Sequence, residues 1–96
     1  MKRKFRDRIL TCIDRGLDHL GESVKHVIYW HLENKFGLKK SKIPDEPEEF
    51  IKGLGRMYGS GVRTIEKSIV REIAKEFGIE ADSLVEAVKK ARKAGR

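Results

Sequence analysis

The sequence predicts an all-α protein, a compact single-domain bundle of about five helices over residues 1–96. Two observations favour this class. Apolar residues recur at intervals of three and four in five segments of the chain, which is the period of an α-helix. No segment alternates apolar and polar residues in the manner of a half-buried strand. The length of 96 residues allows one modest core and excludes a TIM barrel.

The first two helices are predicted from apolar stripes that end at glycines. The first helix runs from about Phe5 to Leu20, and Gly21 suits the left-handed conformation that commonly ends a helix. The second runs from about Glu22 to Gly37. The two stripes consist of Phe5, Ile9, Ile13, Leu17 and Leu20, and of Val24, Val27, Ile28, Leu32 and Phe36.

A third helix is predicted after the basic connector that ends at Ile43. Pro44 favours extended backbone before it, and Asp45 with Glu48 has the spacing of a capping box. The helix is expected to break at Gly59-Ser60-Gly61. Its apolar stripe consists of Phe50, Leu54, Met57 and Tyr58.

The fourth and fifth helices follow this glycine break. The fourth is predicted from about Val62 to Phe77 and stops at Gly78. Ser83 and Glu86 have the spacing of a second capping box, which opens the fifth helix. Because the connectors are short, we expect neighbouring helices to pack antiparallel.

The net charge of +7 is concentrated at the two ends of the chain. Residues 1–8 carry a net charge of +4 and residues 89–96 one of +5, whereas residues 9–88 carry −2. Basic clusters at chain ends commonly bind nucleic acid through its phosphates, and they equally serve to solubilise terminal helices. The candidate nucleic-acid-binding residues in these ends are Lys2, Arg3, Lys4, Lys89, Lys90, Arg92 and Lys93.

Residues 50–76 have the outline of a helix-turn-helix, which is a helix, a short glycine turn and a second helix. With Gly59 in the turn, we expect Leu54, Tyr58 and Ile65 to form a shared core.

The second helix of this element is predicted to carry a basic stripe opposite its core, consisting of Arg63, Lys67, Arg71 and Lys75. Like charges four residues apart slightly destabilise a helix, so such a stripe favours an anionic partner such as phosphate. The favoured interpretation is nevertheless a solvated face that Glu66, Glu72 and Glu76 neutralise, since charged faces are common in a chain with 39% charged residues.

The centre of the second helix, residues 27–32, is apolar or aromatic on every side. Trp30 falls about 150° from the centre of the core face at 100° per residue. The favoured interpretation is that other parts of the chain, such as the fifth helix, cover this tryptophan. The alternative is a homodimer interface, for which Tyr29 and Trp30 are the candidate residues, because large aromatic side chains are enriched at interfaces.

The sequence predicts no enzyme. Gly53 to Gly59 has the spacing of a dinucleotide-binding fingerprint, but a helix rather than a strand is expected before it. No nucleophile and base form a recognisable pair. Of the four residues with metal-ligating side chains, two share a face of the first helix, but the other two point about 140° apart on the second helix. A closed metal site needs three or four converging ligands, so we expect no metal and no cofactor. These residues are Cys12, His19, His26 and His31.

No membrane partner is expected either. No apolar run approaches the length of a transmembrane helix, and the basic N-terminus is not followed by the apolar segment of a signal peptide. With a single cysteine, these features predict a cytoplasmic location. The abundance of Lys, Glu and Arg is typical of thermophilic proteins.

Four short stretches between residues 14 and 79 resemble a small archaeal domain family, Nitrosopumilus output domain 5. The resemblance omits both basic ends and implies a helical, non-catalytic output or interaction module, sometimes attached to signalling domains. It implies no catalytic residues. The stretches are Leu20-Gly21-Glu22-Ser23-Val24; Ile28-Tyr29-Trp30-His31-Leu32; Ile43-Pro44 with Pro47-Glu48-Glu49-Phe50; and Tyr58-Gly59-Ser60-Gly61 with Ile65-Glu66.

The leading hypothesis from the sequence is therefore a non-enzymatic archaeal interaction or regulatory module, acting as a homodimer or an accessory subunit. The alternative is a nucleic-acid-binding protein that uses the helix-turn-helix-like element and the basic ends.

Overall fold

A computed structural model describes residues 2–94 of the chain, with side chains from Lys4 onward. This part of the chain forms five α-helices and two short 3₁₀ segments and contains no strand, so the prediction of an all-α bundle is confirmed. The helices are α1 (Lys2–Asp18), α2 (Glu22–Phe36), α3 (Pro47–Tyr58), α4 (Val62–Phe77) and α5 (Leu84–Ala94). The 3₁₀ segments, Lys40–Asp45 and Gly59–Gly61, lie before and after α3.

The centre of the fold is the antiparallel pair α1 and α4. Phe5 near the start of α1 lies 5.7 Å from Phe77 at the end of α4, measured between ring centroids. Towards the other end of the pair, the hydroxyl of Ser68 donates to the carbonyl oxygen of Gly16. Every helix contributes to one core, whose fully buried members include Ile9, Ile13, Leu17, Ile28, Leu32, Phe50, Leu54, Ile69, Ile73 and Leu84.

The expectation of antiparallel neighbours is wrong for α4 and α5. The first turn of α5 lies beside Glu66 in the first half of α4, because the backbone N–H of Leu84 donates to the Glu66 carboxylate at 2.8 Å. At the other end, Arg92 lies over the Phe5 ring, which packs against Phe77. Residues 78–83 therefore return along α4, and α5 runs in the same direction as α4.

Polar contacts connect α2 to α1, and a glycine allows α3 to pack closely against α2. The Tyr29 hydroxyl of α2 donates to Asp14 of α1 at 2.5 Å, and Lys25 pairs with Asp18 at 2.8 Å. In α3, Gly53 is buried, and a Cβ built on it would lie 2.6 Å from Leu32 Cδ2. A side chain at this position would therefore displace the Leu32 side chain.

Of the two predicted capping boxes, one forms in part. The backbone N–H of Glu86 donates to Ser83 Oγ at 3.2 Å, and the Glu86 carboxylate accepts from the N–H of Asp82 rather than that of Ser83. These two bonds lower the number of unsatisfied donors at the start of α5. The predicted box at the start of α3 is wrong, because Asp45 pairs with Arg6 of α1 and no side chain caps this helix.

Among the described residues, no helix combines the length and the apolar character that crossing a membrane requires.

Candidate nucleic-acid interface

The outward face of α4 carries the predicted basic stripe. Its four residues are all exposed, whereas Ile65, Ile69 and Ile73 on the opposite face are buried. At 1.5 Å per residue, the stripe extends for about 18 Å along the helix axis. We call this surface the α4 basic stripe, and it consists of Arg63, Lys67, Arg71 and Lys75.

The carboxylates that were expected to neutralise the stripe have other partners. Glu66 accepts the Leu84 N–H at the start of α5. Glu76 pairs with Arg8 of α1 at 2.9 Å, and Glu72 Oε2 lies 3.8 Å from Nε2 of His19, the residue that follows α1. Within residues 4–94, no carboxylate lies within 4.0 Å of a charged nitrogen of the stripe.

One further exposed basic residue lies on the helix that packs against α4, and sequence reasoning did not identify it. Arg15 is exposed and lies seven residues after Arg8, so both fall on the same side of α1 at 100° per residue. Arg8 faces α4 through its pair with Glu76, and the antiparallel packing therefore places Arg15 beside the middle of α4. The interval of seven residues between Arg8 and Arg15, together with the pairing of α1 and α4, is the signal that could have identified Arg15.

The basic ends of the chain meet at one end of the bundle. Arg92 lies over Phe5, with its guanidinium carbon 4.8 Å from the ring centroid, and Lys4 is exposed in the same turn of α1. Lys93 is exposed at the end of α5.

Two of the candidate nucleic-acid-binding lysines of α5 lie near acidic side chains or a carbonyl oxygen. Lys89 lines a groove with Asp45 and Glu48. Lys90 donates to the carbonyl oxygen of Glu80 at 2.7 Å and pairs with Glu86 at 3.2 Å. The contacts of Lys90 reduce the positive charge that this lysine presents to a partner. The side chains of Lys2 and Arg3, and the whole of Arg96, lie outside the described residues.

The turn between α3 and α4 requires a glycine at one position of its backbone. Gly59 has φ +59° and ψ −132°, a conformation that other residues rarely adopt. Leu54 and Ile65 are buried, as the helix-turn-helix interpretation predicts. The prediction for Tyr58 is wrong, because this ring lies 38% exposed at the end of α3.

The expectation that other helices cover Trp30 is also wrong. Its side chain is 58% exposed, and Val27 on the same face is 50% exposed. The fifth helix packs against α3 and α4 instead. The other interface candidate, Tyr29, is half-buried, with its hydroxyl on Asp14 and Lys40 over its ring. Burial, followed by the bond to Asp14, raises the pKa of Tyr29 above its ordinary value.

The four residues considered as metal ligands are not grouped in the structure. Cys12 is buried and its Sγ lies 3.6 Å from the carbonyl oxygen of Glu72. His19 lies in the turn after α1, and His26 and His31 lie in α2. Within residues 4–94, no three His, Cys, Asp or Glu side chains are grouped as metal ligands.

An open groove of about 420 Å³ lies between the end of α2 and α3. Phe36, Gly53 and Arg56 line it, with the Arg56 guanidinium 5.9 Å from the Phe36 ring centroid, and Glu49 pairs with Lys52 at its edge. This lining combines no nucleophile with a base. The α4 basic stripe is therefore the charged surface that the described residues build most clearly.

No family model, no curated protein and no solved structure matches the chain.

Proposed function

We propose that this protein binds nucleic acid through the α4 basic stripe. The observation that carries the proposal is that four exposed cations lie in a row on one helix while the neighbouring carboxylates bind other groups. The sequence alone favoured a solvated face because those carboxylates were expected to neutralise it. Their engagement with groups in α1, in the turn that follows it and in α5 supports an external anion instead.

The binding mode that the stripe supports is contact with the phosphate backbone. Lysine and arginine side chains on phosphates release condensed counterions, so the affinity falls as salt increases. The four residues lie about 6 Å apart along the helix axis, since each follows the last by four residues. Phosphate contacts position a protein without specifying sequence, so we expect little discrimination among sequences of equal length.

A titration of labelled duplex DNA, followed by fluorescence anisotropy, tests this function. If all four side chains contact phosphates, the logarithm of the binding constant falls with the logarithm of salt concentration with a slope of about −3.6. The double variant Arg63→Ala with Lys67→Ala is expected to bind more weakly and to reduce the slope to about −1.8. Single-stranded DNA and duplex RNA, titrated in parallel, establish which nucleic acid is preferred.

The matched control is Lys42→Ala with Lys52→Ala, which removes the same charge from exposed positions in the 3₁₀ segment and in α3. We expect this variant to keep a slope near that of the unmodified protein. Equal effects of the two double variants would attribute binding to net charge and contradict a role for the stripe. Absence of binding at about 100 µM protein and about 50 mM salt would rule out the function.

A second candidate function is the non-enzymatic interaction module that the sequence favours, of the kind that the resemblance to Nitrosopumilus output domain 5 implies. The exposed Trp30 supports it, because a large aromatic side chain on an outward helix face is typical of a protein interface. The chain has one tryptophan, so a blue shift of its emission on addition of a protein reports contact at this face. Loss of the shift in Tyr58→Trp with Trp30→Phe would confirm the location.

Both proposals describe a non-enzymatic protein of the cytoplasm, with the archaeal origin that the resemblance implies and the thermophilic character that the composition indicates.

A further inference from the structure

We infer that the outward face of α2 binds a second copy of this chain, with the two α2 helices antiparallel. This interface is separate from the α4 basic stripe and does not depend on it. The face consists of Ser23, Val27, Trp30 and Asn34, which fall within about 60° of one another around the helix.

The centre of this face is apolar and uncharged. Trp30 and Val27 are one turn apart and are among the most exposed large hydrophobic side chains of the described residues. Asn34 donates its side-chain N–H to the carbonyl oxygen of Trp30, which keeps its amide on the helix. Association would remove the exposed apolar area of these two side chains from water, and this burial is the source of the favourable free energy.

The charge distribution favours a second copy over a highly charged partner. The positive charge of the protein is concentrated at its chain ends and on the α4 basic stripe, so two copies repel each other where these surfaces approach. The α2 helix contains two glutamates and two lysines and has no net charge. Two copies that meet at α2 therefore bring together the part of the surface where their repulsion is small.

The polar residues that flank Trp30 select the antiparallel arrangement. His26 and Glu33 are exposed and lie seven residues apart, on the same edge of the face and on either side of Trp30. In an antiparallel pair centred near Trp30, the two copies of this edge meet, so His26 of one copy lies opposite Glu33 of the other. In a parallel pair the two copies of this edge lie on opposite sides of the interface, and these residues do not meet. The antiparallel arrangement also opposes the two helix dipoles.

Sedimentation velocity from about 1 µM to about 1 mM protein tests the inference. We expect a concentration-dependent dimer, with a blue shift of the Trp30 emission as the dimer forms. Trp30→Ser is expected to weaken the dimer at least about tenfold, as for other buried aromatic residues at interfaces. Because Trp30 contributes little to the core, far-UV circular dichroism and thermal unfolding of the dilute variant should match those of the unmodified monomer.

A charge exchange tests the orientation. His26→Glu alone and Glu33→Lys alone are each expected to weaken the dimer. The double variant should restore it, because the carboxylate introduced at position 26 then faces the ammonium introduced at position 33 of the other copy. Glu49→Lys in α3 makes the same charge change as Glu33→Lys away from the face and should leave the dimer unaffected.

Two results would overturn the inference, namely a monomer at every concentration or a dimer that is insensitive to Trp30→Ser. A double variant that dimerises more weakly than both single variants would contradict the antiparallel arrangement. The stripe variant Arg63→Ala with Lys67→Ala should dimerise like the unmodified protein. Loss of nucleic-acid binding and loss of dimerisation can thus be measured separately, each on its own set of variants.

Discussion

The backbone of Gly16 in α1 lies directly against Ile69 in α4. A Cβ built on Gly16 would lie 2.6 Å from Ile69 Cγ1 and 2.8 Å from Ile69 Cα. The second of these atoms belongs to the backbone, so a rotation of the isoleucine side chain cannot relieve the contact. The central helix pair therefore depends on the absence of a side chain at this position.

Gly16→Ala is expected to destabilise the protein by about 1–3 kcal/mol, because the two helices must separate to admit the methyl group. For a domain of this size, each 1 kcal/mol lowers the Tm by about 4–8 °C. Thermal unfolding followed by circular dichroism measures the change.

The same substitution in α3 gives the opposite expectation and serves as its control. Gly55 lies within a helix, and no atom lies within 4 Å of a Cβ built there. Gly55→Ala should stabilise the protein by about 0.5–1 kcal/mol through the helix propensity of alanine. If both variants lowered the Tm equally, close packing at Gly16 would not be the cause of its effect.

The helices could be predicted from sequence because each one has an apolar stripe that is independent of the others. Their pairing depends on contacts between distant residues, and these are harder to predict. The return of residues 78–83 along α4 places Glu66 at the start of α5, which no local pattern indicates. The same contact decides how much negative charge remains beside the α4 basic stripe, so the electrostatics of the candidate site could not be predicted before the fold.

Trp30 shows a second limit of the sequence pattern. A helix that is apolar on every side is usually buried within its own domain. In this protein α2 packs against α1 and α3 and leaves its outer face uncovered. The periodicity identified the second apolar face correctly but could not show whether another part of the chain covers it.

The thiol of Cys12 is expected to be unreactive in the folded protein. Burial, with the nearby carboxylate of Glu76 as a further cause, raises its pKa to about 11. At pH 8 the thiolate fraction would then be about 0.001, and the thiolate is the reactive form. A disulfide reagent that yields a coloured thiolate should modify Cys12 slowly in buffer and rapidly in denaturant. Rapid modification of the folded protein would show that the thiol is accessible.

Alkaline pH is expected to destabilise the protein in part through Tyr29. Its folded-state pKa is raised by burial and by the bond to Asp14, so the unfolded chain releases this proton at a lower pH than the folded chain does. The stabilisation is fully present below about pH 10, the ordinary tyrosine value, and is lost as pH rises further. Tyr29→Phe should lessen the decline in the free energy of unfolding, by up to about 1.4 kcal/mol per pH unit above pH 10.

Urea unfolding at pH 8 and at pH values above 10 measures this difference. At pH 8, Tyr29→Phe is itself expected to be less stable by about 0.5–1.5 kcal/mol, since the bond to Asp14 is lost. Tyr58→Phe removes a phenol from an exposed ring and serves as the control. An alkaline decline that is identical in Tyr29→Phe and in the unmodified protein would contradict the role of this hydroxyl.

The bond between Glu66 and Leu84 is expected to hold the start of α5 against α4. The N–H groups in the first turn of a helix have no acceptor within the helix, and Leu84 is fully buried, so the Glu66 carboxylate replaces the water that this N–H cannot reach. Glu66→Ala should lower the free energy of unfolding by about 1–3 kcal/mol. Glu66→Gln removes the same charge beside the α4 basic stripe but keeps an oxygen that can accept the bond, so it should lose less. Hydrogen exchange adds a local test, because the amides of α5 should exchange faster in Glu66→Ala than in Glu66→Gln. Equal stability and equal exchange in the two variants would show that the charge of Glu66, rather than its bond to Leu84, stabilises α5.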